Sequence, residues 1–263
     1  MSISFMKYLI ILLSLFPFMG HAQNLTLFQK KQFIGSKGDT LPYRILYPEN
    51  YDRSKSYPLV VFLHGGGERG TDNEKQLANG VKVFLEEGNR KKYPAIVIAP
   101  QCPSASYWAS VKIDRSTSPL TLDFNYDYEI TQGLRLATEL TYSIMKEEKV
   151  DTRRVYITGL SMGGMGSLEA IYSHPDLFAA GAIVCGGGDV KAYTRKQTKT
   201  SFWLFHGDAD VVIGVNNSRE MYARLQELKA DVKYTEYPGV NHNSWDKAYA
   251  EPSLLEWMFS RHK

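Results

Sequence analysis

A Gly-x-Ser-x-Gly segment lies near the middle of the chain, at residues 159–163. Ser161 is its central residue. An apolar, β-branched run precedes it, and helix-compatible sequence follows it. A serine hydroxyl becomes an effective nucleophile only when the backbone holds it exposed and a base takes its proton. A sharp turn from strand to helix exposes the hydroxyl, and the two flanking glycines leave the turn room. The segment therefore predicts a serine nucleophile, although a glycine-rich turn that only packs would have the same pattern.

Six histidines could supply the base, and their positions in the chain separate them. His242 lies in a loop after the last predicted strand, downstream of the serine and of the candidate acids, and this chain order favours it. His64 and His206 each follow a strand inside a His-Gly turn, where an imidazole commonly braces the loop through hydrogen bonds. The other three lie in the N-terminal segment, at a helix end before a proline, and at the C-terminus: His21, His174 and His262.

The base needs a carboxylate to orient it, and two aspartates compete for that role. Asp208 and Asp210 are two residues apart, so they would share a face of an extended segment. Asp210 lies farther beyond the end of the preceding strand and reaches better towards a neighbouring loop. Asp208 is expected to stabilise the turn instead. Asp189, which follows three glycines, is a third candidate.

Acyl transfer also requires backbone N–H groups that stabilise a developing oxyanion. The Met162 N–H is predicted at a helix N-terminus, directly after the serine. Gly66, with Gly67 as the alternative, would supply the second donor, because the glycines after His64 have no side chains to block an approaching substrate. A flexible glycine loop is the other interpretation, and the position of the run after the third predicted strand argues against it.

Short apolar runs alternate with helix-compatible segments along most of the chain. This alternation predicts one α/β domain over residues 23–263, with a mostly parallel eight-stranded sheet and helices on both faces. Ligands of such sheets lie outside the carboxyl ends of the strands. The candidate residues all directly follow a predicted strand, so the fold would bring them to one edge. Residues 73–87 and 245–261 are predicted as helices.

Two connections bear on the size of the substrate. Residues 186–200 form a short polar connection, which cannot build a cap of several helices over the site. Residues 101–127 form a long connection that is rich in aromatic residues. From that loop Tyr107 and Trp108, together with Trp245 after the histidine, are predicted to line the substrate cleft, since flat aromatic rings suit sugars or an aromatic acyl group. Core packing beneath the loop is the alternative for each.

The N-terminal residues 1–22 are predicted to be a secretory signal peptide. A lysine at position 7 precedes an apolar run at 8–19, and Gly20 and Ala22 are the small residues of a cleavage site. Without this segment the net charge is +2, which is too small to indicate binding to nucleic acid. The expected mature protein is secreted or periplasmic, with no membrane association. No glycine motif or Cys/His cluster has cofactor-binding or metal-ligating spacing, so neither a cofactor nor a metal is expected.

Six stretches together resemble the α/β-hydrolases: residues 62–70, 99–103, 159–164, 185–189, 205–210 and 237–245. Within that superfamily, residues 40–260 are similar to secreted bacterial esterases of the predicted-peptidase group, to feruloyl and acetyl xylan esterases, and to relatives of polyhydroxybutyrate depolymerases. The resemblance implies a serine carboxylesterase without a cap domain that forms an acyl-enzyme, with Ser161 as nucleophile, Asp210 as acid and His242 as base. The resemblance does not specify the substrate. The short polar connection at 186–200 and the aromatic residues predict acetyl, short-chain or hydroxycinnamoyl esters, either small or linked to a polysaccharide.

Three further expectations accompany this resemblance. Cys102 and Cys185 would end strands about three spacings, or roughly 14 Å, apart in the sheet order of this fold. A disulfide requires Cα atoms within about 7 Å, so the two are predicted to stay unbridged.

A serine peptidase with the same three residues is one alternative function, and a binding protein that has lost catalysis is another. None of the three candidate residues is missing, which argues against the binding protein.

Overall fold

The computed structural model describes residues 24–263, so the predicted signal peptide lies outside the described residues. Within that range the strands are β1 (Gln29–Ile34), β2 (Thr40–Leu46), β3 (Tyr57–Leu63), β4 (Ile96–Pro100), β5 (Val111–Asp114), β6 (Thr121–Phe124), β7 (Val150–Leu160), β8 (Ala180–Val184), β9 (Ser201–Gly207) and β10 (Val232–Tyr237). The α-helices are α1 (Glu87–Lys92), α2 (Gln132–Glu147), α3 (Met162–Ser173), α4 (Asn216–Glu227), α5 (Trp245–Tyr249) and α6 (Leu254–Phe259). In this part of the chain no helix combines the length and apolarity needed to cross a bilayer.

Eight strands form one sheet in the order β1-β2-β4-β3-β7-β8-β9-β10. The β1–β2 and β2–β4 pairs are antiparallel, whereas every pair from β4 to β10 is parallel. The predicted mostly parallel, eight-stranded α/β sheet is thereby confirmed. Because these strands run in the same direction, the loops after β3, β7, β9 and β10 all emerge at one edge of the sheet.

The central strands are buried on both faces, and their side chains alternate between two cores. On β3, Leu59 and Val61 pack into the core that contains α2, α3 and α4, whereas Val60 and Phe62 pack into the core that contains α5 and α6. Each such side chain contributes about 1.5–3 kcal/mol when it is removed from water. The loops that carry polar residues therefore extend from a rigid base.

Three parts of the fold differ from the sequence-based predictions. The helix predicted at 73–87 is wrong, because Gly80 adopts a φ of +75° and separates two short 3-10 helices, Lys75–Leu77 and Val81–Leu85. The closing helix is two helices, α5 and α6, and Pro252 lies between them. The long connection at 101–127 contains the hairpin of β5 and β6, which pair as a separate two-stranded sheet.

The short connection after β8 contains one 3-10 helix, Arg195–Lys199, in place of a cap. Thr194 begins it with a capping box, since its side chain accepts a backbone N–H and the Gln197 side chain returns the contact. The absence of a multi-helix insertion at this point agrees with the prediction from the length and polarity of residues 186–200.

Gly163 provides a test of how closely α3 approaches β3. A Cβ atom at this position would lie 1.9 Å from the Leu63 carbonyl oxygen and 2.8 Å from that of His64. We expect Gly163→Ala to lower the free energy of unfolding by about 3 kcal/mol or more, because backbone atoms cannot move aside as a flexible side chain can. Urea denaturation measures this change.

Gly88→Ala is the matched control for that experiment. Gly88 lies in α1, and a Cβ atom there would meet no heavy atom within 4 Å. Alanine at an open helical position is expected to leave stability unchanged or to raise it by up to about 1 kcal/mol. A similar loss in both variants would contradict the close approach.

Candidate active site

Ser161 occupies the turn between β7 and α3, in a backbone conformation that L-residues rarely adopt. Its φ is 53° and its ψ is −117°. Two features hold the turn in place. The Ser161 N–H donates to the Val184 carbonyl oxygen at 2.8 Å, and the close packing of Gly159 and Gly163 admits no side chain at either position. The half-buried hydroxyl is therefore held at the carboxyl edge of the sheet.

His242 contacts both of the other residues predicted for catalysis. Its Nε2 lies 3.0 Å from Ser161 Oγ, and its Nδ1 lies 2.8 Å from Asp210 Oδ2. An ionised carboxylate only accepts hydrogen bonds, so Nδ1–H donates to Asp210 and Nε2 accepts from the serine hydroxyl. The loops after β7, β9 and β10 thus contribute one residue each to a continuous hydrogen-bonded chain.

The Asp210 carboxylate is satisfied on both oxygens. Oδ1 accepts the backbone N–H groups of Val212 and Ile213 at 2.8 and 2.9 Å. Oδ2 lies 2.8 Å from His242 Nδ1 and 3.2 Å from His206 Nε2. Burial raises the pKa of this carboxyl, but the hydrogen bonds from His206 and His242 outweigh it and hold the pKa of Asp210 well below its usual range. The carboxylate therefore stays ionised throughout the neutral range.

Sequence reasoning found only part of the role of His206. The predicted loop bracing is present, since Nε2 lies 2.8 Å from the Ile213 carbonyl oxygen and Nδ1 lies 2.7 Å from Ser218 Oγ. The missed part is the contact with Asp210, four residues further along. The spacing His-Gly-Asp-x-Asp could have indicated this contact, because the turn brings the second aspartate, Asp210, back to the imidazole of His206.

The other candidate acids stabilise loops. Asp208 accepts the N–H of Gly239 at 2.6 Å, and Gly239 has a φ of +69°. Asp189 accepts three backbone N–H groups, from Tyr126, Lys191 and Ala192. Asn241 was also missed by the sequence analysis. Its Oδ1 accepts the N–H groups of His242 and Val211, which ties the loop of the histidine to the loop of Asp210.

A buried histidine orients the glycine loop. The Cys102 N–H donates to His64 Nε2 at 2.9 Å, so the ring proton is on Nδ1, which donates to the Gly65 carbonyl oxygen at 2.6 Å. In a trans peptide the N–H points opposite to the carbonyl. The Gly66 N–H therefore points away from His64. Arg69 Nε donates to the Gly66 carbonyl oxygen at 3.1 Å and fixes the next peptide in the same way.

The predicted oxyanion donors lie in and beside the cleft that contains Ser161. Gly66 and Gly67 line this cleft, and a Cβ atom at either position would meet nothing within 4 Å. Met162 is buried directly after Ser161 as the first residue of α3, where the backbone N–H has no acceptor within the helix. These backbone groups remain the predicted donors for a tetrahedral oxyanion.

The cleft has a volume of about 430 Å³ and is open to solvent. Ser161, His242 and the glycine loop line part of it. The other lining residues are apolar (Leu120, Leu160, Val212 and Ile213), aromatic (Tyr107 and Trp245) or charged (Glu68, Arg69 and Arg115). The Trp245 ring stands edge-on to His242, with the ring centres 5.3 Å apart. Tyr107 and Trp245 are therefore positioned to contact a bound molecule.

The prediction that Trp108 contacts substrate is wrong. Trp108 is fully buried, and its Nε1 donates to the His64 carbonyl oxygen at 3.1 Å. The ring packs against the His64 imidazole, and its Cβ lies against Gly166 of α3. The polar tip of a buried tryptophan needs a hydrogen-bond acceptor, and the end of β3 supplies it. Trp108 therefore fastens the long connection to the sheet.

Both cysteines are free thiols in the buried interior. Cys102 follows β4 and Cys185 follows β8, with β3 and β7 between those strands. Burial raises the pKa of each thiol to about 12. Cys185 Sγ lies within 4.8 Å of ligand atoms of Asp210 and His242. Asp210 and His242 are hydrogen-bonded to each other, so the protonated Cys185 thiol lies next to this pair.

This fold, with a serine on the turn after a central strand and a histidine and an acid on later loops, defines a hydrolase of the α/β class. The chain belongs to the esterase family described as "Putative esterase", whose model matches residues 36–187. The model of the dienelactone hydrolase family matches residues 126–251. The chain therefore combines the fold of this esterase family with a serine, a histidine and an acid brought together at one edge of the sheet.

Several known proteins resemble this chain. The crystal structure of a thermostable esterase is 35% identical with a TM-score of 0.81, and the match covers 90% of this chain and 64% of that one. A CE1 ferulic acid esterase from Anaeromyces mucronatus, solved in complex with ferulic acid, is 17% identical with a TM-score of 0.64, covering 87% and 89%. Dipeptidyl-peptidase 5 of Aspergillus oryzae is 23% identical over 254 residues. That match covers 81% of this chain, which spans about a third of the peptidase.

The buried His64 makes stability depend on pH. Burial lowers the pKa of His64 to about 4, below the 6.5 of an exposed imidazole. Between these pH values the unfolded chain binds a proton that the folded protein does not, so stability falls as the pH falls from about 6.5 to 4. The contribution of His64 to this loss is expected to reach about 3 kcal/mol.

Urea unfolding across that pH range tests the assignment. His64→Gln removes the titrating group, so the stability of the variant should change less between pH 6.5 and 4 than that of the wild type. His262→Gln alters an exposed histidine and should keep the wild-type pH dependence. If the free energy of unfolding changed equally with pH in all three proteins, the assignment of a neutral, buried His64 would be contradicted.

Proposed function

We propose that this chain is a secreted or periplasmic serine esterase. It hydrolyses acetyl, short-chain or hydroxycinnamoyl esters, including esters carried on plant polysaccharide, through a covalent acyl-enzyme. The observation that carries the proposal is the hydrogen-bonded chain from Ser161 through His242 to Asp210, with distances of 3.0 and 2.8 Å. The predicted signal peptide is the basis for the location.

In the first step Ser161 Oγ attacks the ester carbonyl carbon, and its proton moves to His242 Nε2. The carbonyl oxygen becomes an oxyanion, which the N–H groups of Met162 and of Gly66 or Gly67 stabilise. The intermediate collapses when the bond to the alcohol oxygen breaks. That oxygen takes the proton from Nε2 and leaves as the free alcohol, while the acyl group remains on the serine.

In the second step a water molecule takes the place of the serine hydroxyl. His242 accepts a proton from the water as it attacks the acyl carbon, and returns the proton to Ser161 Oγ when the acid is released. Asp210 stays ionised through both steps, because its pKa is held low by its hydrogen bonds. It fixes the imidazole tautomer and stabilises the imidazolium that forms in each step.

Three observations support the substrate class. The cleft is open, and residues 24–263 place no cap domain over it, which suits a bulky alcohol and shelters a long acyl chain poorly. Tyr107 and Trp245 offer flat surfaces to a sugar ring or an aromatic acyl group. A structural neighbour of this fold is a ferulic acid esterase, bound to ferulic acid.

A serine peptidase with the same three residues is the competing function, and the similarity to dipeptidyl-peptidase 5 favours it. An amide leaves as an amine, so its hydrolysis requires a well-placed proton donor and subsites that hold a peptide backbone. One panel of aryl acetates, feruloyl esters, acetylated xylan and aminoacyl anilides decides between the two. Turnover of the anilides alone would overturn the esterase proposal.

Substitutions test the assigned roles with 4-nitrophenyl acetate as substrate. Ser161→Ala and His242→Ala should each lower kcat by about a thousandfold or more, because residues that act as a unit fail together. Asp210→Asn should lose activity on the same scale, since the amide cannot stabilise an imidazolium in the same way. Circular dichroism establishes that each variant is folded.

Asp208→Asn is the matched control. Its remaining amide oxygen can still accept the Gly239 N–H, so this variant should retain activity within about fivefold of the wild type. An equal loss for Asp208→Asn and Asp210→Asn would contradict the choice of Asp210 as the acid.

Acyl chain length tests the open cleft. We expect kcat/KM to fall steeply for 4-nitrophenyl esters beyond roughly eight acyl carbons, since each unsheltered CH₂ forgoes about 0.8 kcal/mol of burial. Measurement of the series from acetyl to palmitoyl esters, at concentrations below micelle formation, gives the profile. A value that keeps rising to palmitoyl esters would reveal an apolar groove and contradict the proposed substrate class.

A further inference from the structure

The cleft that contains Ser161 continues into a second groove. This groove has a volume of about 620 Å³ and is lined mainly by residues of the long connection and the start of α2. Arg69, Tyr107 and Arg115 line both the cleft and the groove. A substrate that extends from the serine towards the groove must therefore pass these three side chains.

Two cations and the phenol of Tyr107 lie together at this junction. The Arg69 guanidinium carbon lies 5.5 Å from the centre of the Tyr107 ring. Arg115 lines the same two cavities as Tyr107. Within the described part of the chain neither arginine has a carboxylate within 4.0 Å, in contrast to Arg135 and Arg219.

The two arginines are held differently. Arg69 is rigid, because its Nε donates to the Gly66 carbonyl oxygen and its Nη1 donates to those of Ser104 and Ser106. These contacts leave its Nη2 available to a ligand. Arg115 is exposed on the turn of the β5–β6 hairpin.

The hairpin itself is fastened to the loop of Asp210. The Leu120 N–H donates to the Val212 carbonyl oxygen at 2.9 Å, and Ser118 Oγ donates to that of Val211 at 2.9 Å. Arg115 therefore extends from a loop whose position is fixed relative to the catalytic residues, although its own side chain is free to meet a ligand.

Two carboxylates line these cavities, and neither forms an ion pair with Arg69 or Arg115. Among the described residues that line the cleft, only Glu68 carries a carboxylate; its Oε1 accepts the Asn79 amide at 2.7 Å, and its Oε2 has no hydrogen-bond partner. Glu129 lines the groove and faces Lys37 at 4.0 Å. The two guanidiniums therefore outnumber the one carboxylate of the cleft.

We propose that Arg69, Tyr107 and Arg115 form a subsite for a carboxylate of the substrate, so that the preferred ester carries an anionic group away from the scissile bond. This inference rests on the proposed esterase function. A guanidinium offers paired N–H donors that match a carboxylate, and a phenol hydroxyl adds a third donor. The carboxylate can belong to the alcohol or to the acyl group of the ester, and the junction recognises the same chemistry in both cases.

Two pairs of esters, each matched in size, test the subsite. In 4-acetoxybenzoate the anion is on the alcohol, and 4-acetoxybenzamide is its neutral counterpart. In methyl hydrogen succinate the anion is on the acyl group, and methyl succinamate is its neutral counterpart. We expect the wild type to prefer the anionic member of one pair by at least about tenfold in kcat/KM, and that pair identifies the part of the substrate that enters the junction.

Arg115→Gln should abolish this preference, because it should lower kcat/KM for the anionic ester of that pair at least about tenfold more than for the neutral ester. Arg53→Gln removes the same charge from an exposed site outside the cleft and should keep the preference. Added NaCl should weaken the preference of the wild type, since exposed charges are screened by salt. Equal turnover within both pairs, or a preference that survives Arg115→Gln, would overturn the subsite.

Failure of the esterase function gives a different result. If the neutral esters are not hydrolysed, or if Ser161→Ala hydrolyses them as fast as the wild type, the proposed function is wrong.

Calorimetric titration with 4-hydroxybenzoate and 4-hydroxybenzamide, and with succinate and succinamide, measures binding to the subsite without turnover. Binding of one carboxylate but not its amide, lost in Arg115→Gln, supports the subsite. Equal affinities within both pairs contradict it.

Discussion

The close approach of the start of α3 to the end of β3 is the constraint on which the rest of the site depends. The Leu63 carbonyl oxygen occupies the space in which a side chain at Gly163 would lie. This contact fixes the serine turn, because Ser161 directly precedes α3. It also fixes the glycine loop, since His64 directly follows β3. The two backbone segments that carry the predicted oxyanion donors are thereby held at a constant separation by backbone packing, which no side-chain motion can relax.

The second feature of the site is a carboxylate that is held on both oxygens. Asp210 accepts three hydrogen bonds, two from its own loop and one from His242, and His206 Nε2 lies 3.2 Å from its Oδ2. Such a group is already oriented before any charge develops on His242, so little reorganisation accompanies the reaction. His206 contributes to this arrangement from the core, and Asn241 contributes from the loop of the base. The electrostatics of the pair therefore depend on residues that touch no substrate.

The sequence was most informative where function depends on local spacing. The glycine positions around Ser161 and the order of the later loops follow from short-range geometry, so the sheet and the neighbourhood of the three residues were predictable. Trp108 was not, because its burial depends on the path of a long connection across α3. The four-residue strands β5 and β6 are too short for a periodic pattern, and the break at Gly80 depends on a positive φ that many glycines do not adopt. The loop bracing predicted for His206 is present, but its contact with Asp210 was not predicted, because a ring that braces one loop can contact a second group as well.

The two unpaired thiols bear on how the protein reaches its folded state. A thiol whose pKa is about 12 is almost entirely protonated at neutral pH, and only the thiolate exchanges with disulfides. Both sulfur atoms are also enclosed by the core. The native chain therefore resists glutathione, mixed-disulfide formation and thiol-directed reagents. Because neither cysteine is bridged, the folded structure needs no disulfide to be formed or rearranged, and its stability does not depend on the redox potential of the compartment.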